Sequence, residues 1–87
     1  MRVIVEGKSI ETKDIWKIEK RYGNPSYDYI GFRVGIIDKE DLVFGREIQR
    51  GTHGDDMRRM QKPYDEAMVN LIELWNKDKC EHVIIHI

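Results

Sequence analysis

YIGFRVGIIDKEDLVFGREI, residues 29–48, is the stretch that decides the fold. Ile30, Phe32, Val34 and Ile36 alternate with Tyr29, Gly31, Arg33 and Gly35. A period of two marks a strand with one face turned to the core. Asp38-Lys39-Glu40-Asp41 is a charged turn, and Leu42, Phe44 and Ile48 return on one face. The stretch reads as a β-hairpin. Gly31, Gly35 and Gly45 all fall on its second face, where strand glycines admit close approach of a backbone, a helix or a ligand.

Upstream, Arg2-Val3-Ile4-Val5-Glu6 is a β-branched run bounded by Gly7-Lys8-Ser9, a strand and then a turn. Residues 10–22 fit two patterns. As a helix, Ile10, Ile15, Ile18 and Tyr22 share an arc; as a strand, Trp16, Ile18 and Tyr22 share a face. A helix would leave Trp16 off its apolar side, so we expect a strand over Ile15 to Tyr22. Gly23-Asn24-Pro25-Ser26 is a turn.

Downstream, Tyr64, Ala67, Met68, Leu71, Leu74 and Trp75 follow helical spacing, and Met57 and Met60 extend the stripe backward. Pro63 suits a first helical turn, so a preceding turn from about Asp55 would be kinked or broken there. The helix is expected to stop near Asn76 to Lys79. His82 to Ile87 is a last strand, with Val83, Ile85 and Ile87 on one face and His82, Ile84 and His86 on the other. The expected fold is therefore α+β. A small, mostly antiparallel sheet, β-β-β-β-α-β in chain order, carries one helix on one face, and the last strand returns beside the first.

The chain has 87 residues and reads as one domain, too short to close a second core. At this size only about 60–65% of the unfolded surface is buried, and a homodimer is the expected assembly. Charged residues are 36% of the chain but sum to −1, which provides no general attraction to nucleic acid or anionic membrane. Cys80 is the single cysteine, so an intrachain disulfide and a cysteine-based zinc cluster are excluded. The N-terminal apolar run is too short for a secretory signal and no segment suits a membrane span. A cytoplasmic protein is expected.

Chemistry-bearing residues concentrate in REIQRGTHGDDMRRMQKP, residues 46–63. Gly51-Thr52-His53-Gly54 at a helix start can turn N–H groups toward an anion. Arg46, Arg50, Arg58 and Arg59 carry guanidinium forks that match phosphate or carboxylate. Such a loop would suit a phosphorylated small molecule such as a nucleotide, although the phosphate-loop spacing is missing. The competing expectation is a solvated connection whose Asp55 and Asp56 favour the helix dipole. His53, Asp55, Asp56 and His82 would make a metal-dependent hydrolase only if they converge. His82 and His86 alone sit about 13 Å apart on a strand at ~3.3 Å per residue, too far for one ion. Cys80 beside His82 lacks a third, orienting group. No catalytic residue, metal or cofactor is therefore expected.

Tyr22, Tyr27 and Tyr29 cluster about Asn24-Pro25 and suit a protein interface, where tyrosine is enriched. With Lys20, Arg21 and Arg33 they would also suit base stacking, which the neutral charge balance disfavours. The leading expectation is a small non-catalytic interaction module, a regulator or inhibitor of a larger protein, with a protein partner favoured over nucleic acid. The nucleotide-binding module stands second and the hydrolase third.

Overall fold

A computed structural model of the protein describes residues 1–24, 27–77 and 82–87. The chain runs β1 (Arg2–Val5), β2 (Lys8–Glu11), a single 3-10 turn at Thr12–Asp14, β3 (Ile15–Asn24), β4 (Tyr27–Ile36), β5 (Leu42–Glu47), α1 (Gly54–Trp75) and β6 (His82–Ile85). The class is α+β, as expected, but the strands form two sheets of three, ordered β2-β1-β6 and β3-β4-β5. β6 lies parallel to β1, with Val3 opposite Val83, and every other pairing is antiparallel.

The additional strand is β2. Residues 7–9 were expected to form a turn, but the turn is Glu6-Gly7, with φ of 48° and 77°, and Val5 pairs with Lys8 across it. Two consecutive positive φ values make the tight hairpin loop whose twist matches that of its strands. Lys8 and Ser9 thereby enter a strand, and Ile10 is 1% exposed in the core. At the 3-10 corner, Thr12 donates from both its N–H (2.9 Å) and its hydroxyl (3.2 Å) to the Met1 carbonyl. These bonds satisfy a buried polar residue where the chain crosses from one sheet to the other.

β3 is a strand, but its faces differ from the simple alternation. Ile15 pairs with Ile36 and Lys17 with Gly35, so Trp16 is an extra residue in a β-bulge. The bulge shifts the alternation by one. Ile15 and Ile18, three apart, both reach the core, and Trp16 turns away from it. The expected face of Trp16, Ile18 and Tyr22 is thus corrected to Ile15, Ile18 and Tyr22.

The core lies between the two sheets and the helix. Val3, Val5, Ile10 and Ile85 from one sheet meet Ile15, Phe32, Val34, Ile36 and Phe44 from the other, closed by Ala67 and Leu71. Phe32 and Phe44 stack with centroids 5.1 Å apart. The helix is continuous over 22 residues and includes Pro63, which was expected to begin or break it. Pro63 and Arg59 are both exposed, so water can take the Arg59 carbonyl that a proline leaves without a donor. On the opposite side Met57 and Gln61 are buried and anchor the first turns.

Gln61 fills a gap in the apolar stripe. It is 1% exposed. Its Oε1 accepts from the Gly31 N–H at 2.7 Å, and its Nε2 donates to the Gly31 carbonyl at 3.0 Å and to Asp65 Oδ1 at 2.7 Å. Gly31 faces Gly45 across the strands, with φ of +129° and +150°. A Cβ on Gly31 would run into the Phe44 carbonyl and the Gly45 Cα, and one on Gly45 into the Ile30 carbonyl. Only glycine at both positions allows the strands to close here while the Gly31 peptide groups serve the helix.

Candidate functional site

The connection from β5 to α1 holds most of the polar candidates. Arg46, at the end of β5, Arg50 and Gly51 are exposed, and Gly51 has φ of +84°. Thr52 closes a turn onto Gln49, its N–H (3.2 Å) and its hydroxyl both donating to the Gln49 carbonyl. His53 is the helix N-cap: its Nδ1 accepts from the Asp55 N–H at 3.2 Å, and its carbonyl accepts from the Met57 N–H at 3.0 Å. Gly54 opens the helix, and its carbonyl accepts from the Tyr22 hydroxyl at 3.3 Å.

The arginines of the first turns are paired along the helix. Arg58 lies 3.1 Å from Asp55 and Arg59 3.3 Å from Asp56. Asp55 also lies 3.7 Å from His53 Nδ1. The side chains in these pairs are all well exposed, so each pair adds little to stability. Their effect on a ligand is larger. Two carboxylates lie beside two guanidiniums, and the N–H groups of Thr52 and Asp55 already have acceptors, so an arriving anion has to compete with Asp55 and Asp56 for Arg58 and Arg59. The shallow depression lined by Thr52, Asp56, Arg59 and Met60 repeats the pattern, with one acid beside one base.

Among the described residues no group of three or more His, Cys, Asp and Glu side chains could hold a metal ion. Cys80 and the side chain of His82, candidates for a thiol nucleophile and for a ligand, lie outside the described residues.

Tyr22 and Tyr29 do not share a surface. Tyr22 stands opposite Ile30 and reaches the helix start, while Tyr29, one residue before Ile30, points the other way, opposite Glu47. The side chain of Tyr27 lies outside the described residues. Tyr29 belongs to a different assembly, the outer face of the β3-β4-β5 sheet, away from the helix. There Arg21 lies over the Tyr29 ring, 4.2 Å from its centroid. Along the same face Lys17 pairs with Glu19 at 3.6 Å and Arg33 with Asp41 at 3.9 Å. The Nε atoms of Arg21 and Arg33 are shielded from solvent and make no hydrogen bond.

At one end of this face the Trp16 indole covers Gly35, where a Cβ would come within 2.8 Å of it. Lys17 Nζ sits 4.5 Å from the indole centroid, a cation–π geometry. Trp16 remains 55% exposed and is the largest residue among the exposed hydrophobic side chains. Trp16 and Tyr29 thus stand about 20 Å apart on one sheet face, six residues of strand at ~3.3 Å each. Trp16 was missed as a surface residue because the bulge is not visible as alternation. The signal for it was Ile15 and Ile18, both strongly apolar and three apart in a segment read as a strand.

Among the described residues no helix is long and apolar enough to cross a membrane. Comparison with protein-family models, with curated proteins and with solved structures finds no match to this chain.

Proposed function

We propose that the chain is a small non-catalytic binding module, a regulator or inhibitor of a larger protein, and that it docks through the outer face of the β3-β4-β5 sheet. The observation that carries this reading is Trp16, held on Gly35 and capped by Lys17, yet more than half exposed on a sheet face that no element of the described chain covers. Tryptophan, tyrosine and arginine are the residues that dominate binding energy at protein interfaces. Here Trp16, Tyr29, Arg21 and Arg33 occupy one face and are partly ordered by their own contacts, which lowers the entropy cost of docking.

Protein is favoured over nucleic acid by charge. Lys17 and Arg33 have Glu19 and Asp41 as neighbours, and Glu47 stands opposite Tyr29. A polyphosphate would meet alternating signs, whereas a protein surface can match them. A phosphorylated ligand at residues 46–62 has weaker support, since Arg58 and Arg59 already have Asp55 and Asp56. We place the protein in the cytoplasm, which its single cysteine suits.

The test is differential capture from cells that make the protein, followed by titration of the captured partner with purified chain. A partner retained by the wild type should be lost with Trp16→Ala and with Arg33→Glu, with folding intact by circular dichroism. A partner that binds both variants as tightly as the wild type overturns the reading.

A further inference from the structure

Helix α1 and strand β6 enclose a cleft. Asn70, Glu73 and Leu74, on one face of the last helical turns, and Lys77, two residues past the helix end, form one wall, and residues 83–86 form the other. β6 lies at the end of the β2-β1-β6 order, so its far edge has no strand partner among the described residues. That edge carries neither lysine nor proline, the usual protections against pairing with another chain. Ile84, in the cleft, is 56% exposed, and Ile87 just beyond the strand is also exposed.

We propose that a second copy of this chain occupies the cleft, its β6 pairing antiparallel with β6 across a twofold axis. The sheet would continue as β2-β1-β6-β6-β1-β2, joining two sheets whose strands have only four residues each. Charge selects a second copy over an unrelated strand. Glu73, in the last turn of the helix, and Lys77, just past its C-cap Asn76, both line the cleft wall. A twofold axis that runs β6 antiparallel to its copy reverses this wall, so each Glu73 faces Lys77 of the other copy and the contact is made twice. An axis at the level of Ile84 also places that exposed side chain against its own copy, a cross-strand apolar pair. This surface is separate from the outer face of the β3-β4-β5 sheet and does not depend on it.

Sedimentation velocity over a concentration series tests the proposal. The wild type should be a dimer that dissociates on dilution, and Ile84→Lys should be monomeric with its circular dichroism unchanged. Glu73→Lys and Lys77→Glu should each raise the dimer dissociation constant about tenfold, since attraction becomes repulsion at two symmetric contacts. The double exchange Glu73→Lys with Lys77→Glu should restore the wild-type constant. A wild type that stays monomeric at every concentration overturns the proposal. So does a dimer that survives Ile84→Lys, or a double exchange no tighter than the single variants. Retention of a captured partner by Ile84→Lys would separate this interface from the docking face.

Discussion

The two faces of the β3-β4-β5 sheet solve opposite problems with different residue types. On the helix side Ile30, Phe32, Val34 and Phe44 are fully buried, and the buried amide of Gln61 has every hydrogen bond it needs. On the outer side Lys17 pairs with Trp16, Arg21 with Tyr29 and Arg33 with Asp41, and no element among the described residues covers them. Glycine serves both faces. Gly31 with Gly45 lets two backbones close and frees peptide groups for the helix, while Gly35 makes a seat for an indole. The difference teaches that an atom's cost of displacement, rather than burial alone, separates structural positions from surface ones. Backbone meets Gly31, and side chains that can move meet Gly35.

The sharpest way to break this comparison is Gly31→Ala. The methyl would strike the Phe44 carbonyl, which cannot move without opening the sheet, at a φ that alanine rarely adopts. We expect a loss of about 4 kcal/mol or more in chemical denaturation, enough to unfold a marginal domain. Gln61→Leu should cost about 3 kcal/mol, because it strands a buried N–H and C=O on Gly31 while keeping the apolar volume. Gly35→Ala sharpens the contrast. The Trp16 ring and the Lys17 stem can swing aside, so we expect about 1 kcal/mol together with a shift in tryptophan emission. Equal losses for Gly31→Ala and Gly35→Ala would erase the distinction between the faces. Trp16→Ala should be the mildest for folding, within about 1 kcal/mol, and the most damaging to partner capture.

Much of the fold was legible in local pattern. The alternation of Tyr29 to Ile37 and the stripe from Tyr64 to Trp75 each report one buried face, and burial against a single neighbour imposes its period on the sequence. The β1-β2 hairpin was harder, since Glu6-Gly7 is a less marked turn pair than Asn-Gly and Lys8-Ser9 looks like its continuation. Pro63 misled because its penalty is local, whereas the helix is held from the other side by Met57 and Gln61. In the candidate loop, residue types suggested anion binding, but their i,i+3 spacing with Asp55 and Asp56 directs Arg58 and Arg59 to those carboxylates.

The amino-acid sequence by itself determined the class, the alternation of the central hairpin, the helix stripe and the near-cancelling charge. These follow from the periods of strand and helix and from counting. Only the tertiary structure decided that the strands divide into two sheets, that a bulge turns Trp16 outward, and that Gln61 belongs inside. Each depends on what lies opposite. A register shift is measured against a partner strand, and a buried amide is stable only where another backbone offers a donor and an acceptor at the right separation.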